Sequence, residues 1–136
     1  MNQVRNKAKE EFTAHVHFSE ADILADAKDG EWKGFDIIVS NPPYIPLREK
    51  ENMENQVTQY EPAIALFVSN EDPFIFYKMI ARLGKQALNK NGQLFFEIHY
   101  DQATALMNLL DEMNYHAELR QDMFGKDRMI RASLKK

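Results

Sequence analysis

Phe35-Asp36-Ile37-Ile38-Val39-Ser40-Asn41-Pro42-Pro43-Tyr44 is the stretch on which the fold turns. Its first six residues are a nearly continuous β-branched run, the pattern of a strand covered on both faces in a parallel sheet. Asn41-Pro42-Pro43 ends that strand, because consecutive prolines lack the N–H groups a ladder needs. In open α/β sheets ligands bind beyond the carboxyl ends of the strands. Position alone therefore puts residues 41–44 where a site belongs.

Working outward, residues 4–12 read as a short polar helix and residues 13–18 alternate like a strand. Asp22 follows in a loop, and Asp29-Gly30 marks a turn. Downstream, residues 47–59 are polar and charged, a solvated loop or a lid, and residues 63–68 are apolar. Asp72-Pro73 predicts a helix N-cap with proline at the first helical position. Phe76, Ile80, Leu83 and Ala87 then fall on one helical face. Asn91-Gly92 turns the chain into a strand over 93–98, and a second helix over 101–113 carries Leu106, Leu109, Leu110 and Met113 on one stripe. Strands over 116–122 and 128–134, with Gly125 between them, close the chain. Strands alternating with helices predict an α/β sheet ending in an antiparallel hairpin.

At 136 residues the chain is one ordinary domain. Lys+Arg 17 against Asp+Glu 21 leaves a net charge of −4, which argues against a partner made of long nucleic acid. The absence of cysteine excludes disulfides, thiolate metal sites and cysteine nucleophiles. Residues 1–11 are polar, unlike a signal peptide, and no apolar run approaches the roughly 20 residues that span a bilayer. A cytoplasmic protein with no membrane contact is expected. His15 and His17 fall on one face of the residue 13–18 strand, but without a third ligand they predict no metal site.

A Pro-Pro pair after a strand is an ordinary stop, and that reading competes with a chemical one. A planar amide or aromatic amino nitrogen is a poor nucleophile because its lone pair is delocalised. A site that alkylates it must accept both N–H hydrogens and leave the lone pair aimed at the electrophile. Asn41 Oδ1 can accept one hydrogen and the Pro42 carbonyl the other. The two prolines fix the backbone before substrate arrives. Tyr44 supplies a flat wall.

With Tyr60-Glu61-Pro62, Ala65-Leu66, Gly92-Gln93-Leu94-Phe95-Phe96-Glu97-Ile98, Gln102, and Asp122 with Gly125, Asp127 and Arg128, the chain resembles the HemK/PrmC family. These are release-factor glutamine N5-methyltransferases using S-adenosyl-L-methionine (AdoMet). The resemblance implies a partial Rossmann-like class I methyltransferase sheet. It implies that Asn41 and Pro42 are catalytic, and that Pro43, Tyr44 and Glu61 join them around the glutamine of a release factor's Gly-Gly-Gln loop. Asp22 and Ile23, with Asn41, would border the AdoMet. His99 and Pro73 depart from residues usual in the family.

Two rivals stand beside this reading: methylation of adenine in DNA or RNA, and an inactive fragment keeping only the fold. None of the five glycines forms the Gly-rich cofactor turn of such enzymes. Residues 1–136 are thus expected to be the C-terminal part of a methyltransferase domain, without that turn and without the family's N-terminal helical domain. On that expectation the isolated chain binds AdoMet weakly or not at all, or pairs with a second copy through an exposed sheet edge.

Overall fold

A computed structural model of the chain describes residues 15–25, 32–43, 45–46, 67–68 and 72–136. Phe35–Ser40 forms strand β1, ending where the prolines begin. Two short segments follow, β2 (Ile45–Pro46) and β3 (Phe67–Val68), which pair in parallel. Helix α1 (Ile75–Ala87) runs directly into β4 (Leu88–Glu97). A 3-10 turn (Tyr100–Gln102) opens helix α2 (Ala103–Glu112), and β5 (Tyr115–Gln121) and β6 (Asp127–Leu134) form the closing hairpin.

The main sheet has the order β1-β4-β6-β5. β1 pairs with β4 in parallel, and β6 runs antiparallel to both β4 and β5. Three of these strands point one way and β6 alone opposes them, so only the β1–β4 pairing is parallel: the sheet is mixed rather than mostly parallel, and it ends in the antiparallel hairpin that the sequence predicts. Successive residues of a strand face opposite sides. Leu94 and Phe96 of β4, Ile98 just past its end, and Ile130 and Ala132 of β6 are buried on one face. Tyr77, Ile80 and Ala81 of α1 and Ala103, Leu106 and Leu110 of α2 pack there in a single core. Each large apolar side chain so buried contributes about 1.5–3 kcal/mol.

Two tyrosines fasten α1 to this face. Tyr77 meets Phe96 edge-on at 5.3 Å, and its hydroxyl donates to the Glu97 carbonyl at 3.0 Å. The Tyr115 hydroxyl donates to the Ala81 carbonyl at 2.7 Å, and burial pushes its pKa further above the ordinary tyrosine value.

The structure corrects several expectations. β1 is not covered on both faces: Ile37 is 58% and Val39 75% exposed, while Ile38 packs against the core. Both described helices lie on the same side of the sheet, so the other side of β1 has no cover among the described residues. Residues 15–18 are exposed and form no strand, since no described strand lies alongside to complete a ladder. His15 and His17 therefore share no strand face. Asp72 is not the cap of α1, which begins at Ile75. Its Oδ1 accepts instead from the Phe74 N–H at 3.1 Å and its carbonyl from Ile75 at 3.3 Å, because a short acidic side chain readily closes a turn two residues on.

Asn91 and Gly92 lie inside β4, where the ladder slips: Phe35 faces Leu88 but Ile37 faces Gln93. Asn91 takes a left-handed φ of 68°, and Asn89 Nδ2 clamps the slip by donating to the Gly34 carbonyl and to Asp36 Oδ1. The helix expected over 4–12, the turn at Asp29-Gly30 and the charged stretch 47–59 lie outside the described residues. Among those described, no helix is long and apolar enough to cross a membrane.

Gly84 marks the closest approach of α1 to the sheet. A Cβ there would stand 2.7 Å from the Tyr115 hydroxyl and 3.0 Å from Leu94 Cδ2. Gly84→Ala gains at most about 1 kcal/mol of helix propensity, yet the crowding is expected to make it destabilising by about 1–3 kcal/mol. Denaturant titration should show this, with Tyr115→Phe recovering part of the loss. Strict additivity of the two substitutions would refute the contact.

Candidate functional site

A cavity of about 710 Å³ opens at the carboxyl end of β1, within the usual range of small-molecule sites. The strand end and the residues after it supply Ile38, Val39, Ser40, Asn41, Pro42 and Pro43 to its wall. The loop around Asp22 and Ile23 closes a second side, and Phe76, Ile80 and Leu83 of α1 a third. Its floor is therefore apolar, with polar groups concentrated on the Asp22 and Asn41 sides.

Residues 41–43 are placed by two opposing tendencies. β1 delivers Asn41 to the sheet's end in fixed register, Ser40 lying opposite Phe96. Pro42 is buried and anchors the loop, whereas Asn41 is exposed at the cavity and its carboxamide is bonded to no other described residue. Asp22 shapes the facing loop: Oδ1 accepts from the Leu24 N–H at 2.9 Å and its carbonyl from Ala25 at 3.1 Å. That turn presents half-buried Ile23 toward the cavity and the core.

Asp22, Ile23, Asn41, Pro42 and Pro43, far apart in sequence, thus line one cavity. Tyr44 and Glu61 lie outside the described residues. The sequence reading overlooked Trp32, which also lines the cavity and sits 6.5 Å from the Phe35 ring. The available signal was a single tryptophan three residues before the strand. Phe76, Ile80 and Leu83 were legible as a helical face, though not as a cavity wall. His15 and His17 are exposed, and no group of three metal-ligating side chains occurs among the described residues.

The same end of the sheet carries a second cluster. His99 Nδ1 contacts Asp101 Oδ1, and its ring lies 4.6 Å from that of Tyr100. Lys126 Nζ stands 4.9 Å over the Tyr100 ring. Asp122 Oδ1 accepts from the Phe124 and Lys126 N–H groups at 2.9 and 3.1 Å, and Oδ2 from Arg128 Nε at 3.3 Å. Those backbone bonds, Lys126 first, together with Arg128 hold the Asp122 carboxyl below the usual carboxylate range. Arg131 likewise donates to Glu118 at 2.7 Å and lowers its pKa.

A protein-family model described as Eco57I restriction-modification methylase matches residues 1–121. The chain belongs to that methylase family. Individual relatives narrow the likeness. Release factor glutamine methyltransferase of Bacteroides thetaiotaomicron is 42% identical over 133 residues, covering 96% of this chain and 47% of the relative. That of Flavobacterium psychrophilum is 42% identical over 102 residues, 74% of this chain and 36% of the relative. The Lactococcus lactis protein is 41% identical over 119 residues, 86% and 42%. The likeness to release-factor glutamine methyltransferases read from the residues flanking Asn41 is thereby borne out. The methylase chain spans less than half the length of these relatives.

Membership of a methylase family implies a methyl donor, and the cavity is large enough for a small molecule. The turn beside it gives a pH test. A carboxyl with a lowered native pKa stabilises fully above its unfolded value, near 3.9, and loses that contribution as pH falls through the lower native value. In this chain the Phe124 and Lys126 amide resonances are expected to hold position from pH 7 to about 5. They should move only below about 4; movement near neutrality would contradict the assignment to Asp122.

Proposed function

We propose that this chain is the acceptor-side part of an AdoMet-dependent glutamine N5-methyltransferase, acting on the Gly-Gly-Gln loop of peptide chain release factors. One observation carries the reading: Asp22 and Ile23 meet Asn41, Pro42 and Pro43 around one apolar cavity at the carboxyl end of β1. The names of its relatives support release factor as the substrate. Residues 1–136 would then be the C-terminal portion of the catalytic domain.

The residues present fit part of AdoMet. Ile23, Ile38, Ile80 and Leu83 offer an apolar surface suited to a flat adenine, with the Asp22 turn at its border. AdoMet would supply an electrophilic methyl group on a sulfonium. Asn41 Oδ1 accepts one hydrogen of the substrate amide and the Pro42 carbonyl the other, which turns the nitrogen lone pair toward that methyl. Pro43 stiffens the loop, while Tyr44 and Glu61 would complete the wall around the amide. The nitrogen keeps its lone pair poorly basic until alkylation and sheds a proton afterwards, so no strong base is required. Holding the two partners in line provides most of the acceleration.

Adenine in nucleic acid is the second reading, favoured by the family model's description as a restriction-modification methylase. An exocyclic adenine amine offers the same two hydrogens to Asn41 and Pro42, but would need to be flipped from its stack. The net charge of −4 gives that process little electrostatic help.

Asn41→Ala is expected to lower methyl transfer to a release factor by about 10²-fold or more, the usual effect of losing one preorganised hydrogen-bonding group. Tritiated methyl incorporation into release factor and into duplex DNA, measured side by side, decides between the readings. Undiminished transfer by the variant removes Asn41 from the chemistry; transfer to DNA alone replaces glutamine with adenine.

A further inference from the structure

We propose that the turn between β5 and β6 is a docking contact for the folded protein that carries the acceptor amide, with Met123 and Phe124 as its apolar tip. The inference rests on the reading of that acceptor as a protein glutamine. Met123 is 89% and Phe124 81% exposed. Contiguous exposed apolar surface marks contact sites, and these two side chains adjoin at the tip of one turn.

The turn is built to hold them there. Asp122 accepts two backbone N–H groups of the turn and the Arg128 side chain, and Gly125 closes it with a φ of 76°. A tip braced in advance gives up little conformational freedom on binding. Phenylalanine supplies a rigid anchor of the kind that dominates contact energies, and methionine adapts to an irregular partner surface.

Topology puts the tip beside the cavity. Ser40 lies opposite Phe96, and Phe96 opposite Ile130, so β6 stands two strand spacings from β1, about 10 Å. From Ile130 back to Asp127 the hairpin rises by about 10 Å beyond the level of Ser40. The tip therefore stands to the β6 side of Asn41 and rises beyond the end of β1. A peptide filling the cavity falls short of it, whereas a globular protein inserting one loop would press against it.

Charge favours a protein over a nucleic acid. The cations flanking the tip are engaged, Lys126 over Tyr100, Arg128 on Asp122 and Arg120 beside Glu118. With Arg128 paired to Asp122 and Asp127 close by, the tip offers no excess of positive charge to a phosphate backbone, on a chain of net charge −4.

The test titrates the full chain and its Met123→Ser/Phe124→Ser variant with an intact release factor and with a short Gly-Gly-Gln peptide, following fluorescence anisotropy. The variant is expected to bind the intact factor at least tenfold more weakly, and the peptide within twofold of the unaltered chain. Phe124→Tyr, which keeps the ring, should retain affinity for the factor. Unchanged binding of the factor by the double variant overturns the docking contact and leaves the glutamine reading intact. An equal loss for factor and peptide also overturns it, by moving the two residues into the acceptor site. A chain that binds neither probe, or binds a DNA duplex instead, overturns both readings.

Discussion

Two buried tyrosine hydroxyls, Tyr77 on the Glu97 carbonyl and Tyr115 on the Ala81 carbonyl, draw α1 down onto the sheet until only a glycine fits at position 84. The rest of the architecture follows from that approach. Tyr77, Ala81 and Gly84 are spent on the sheet, and Phe76, Ile80 and Leu83, turned toward its β1 side, become the cavity wall. Ile80 serves both groups. A helix standing further off would leave the hydroxyls unpaired in an apolar layer and the cavity without a side. Core packing and site geometry are thus two readings of one helix position.

Much of this was legible in the sequence because it depends on short-range pattern. The β-branched run at 35–40, the prolines that end it, the spacing of Phe76, Ile80, Leu83 and Ala87, and the Gly125 turn each report on neighbours within a few residues. What escaped depends on partners distant in the chain. Ile37 and Val39 look like core residues by composition, yet their burial requires a layer over that face of β1. Residues 15–18 alternate correctly for a strand, but alternation cannot supply a ladder. Asp72 carries a capping side chain and uses it on the Phe74 N–H two residues on, in the turn that leads into the helix. The slip at 89–92 is invisible because Asn89 works by reaching across to Gly34 and Asp36.

The site divides in the same way. Residues 41–43 were singled out by their own chemistry, an amide with two backbone-fixing prolines at a strand end, although Pro-Pro is also an ordinary way to stop a strand. Asp22 and Ile23 are commonplace residues in a loop, and the family resemblance alone singled them out; the cavity now sets them opposite Asn41. Trp32 went unnoticed because a lone aromatic before a strand has no periodicity to betray it. The electrostatics are similarly local. The arginines that could have read as a basic patch, Arg128 and Arg131, are each satisfied by a carboxylate within the hairpin.

The pairing of Ile37 with Gln93 bears on the order in which the molecule assembles. The β5–β6 hairpin closes across a short turn and α2 packs on the strand next to it, contacts that form early because little chain must be corralled. The β1–β4 ladder must instead bring together segments more than fifty residues apart, and its loop-closure entropy is correspondingly larger. Asn41 reaches its place only once that ladder has zipped. Closing the cavity therefore costs more chain entropy than closing the hairpin, so a ligand bound there would act on the seam of the fold that is most expensive to shut.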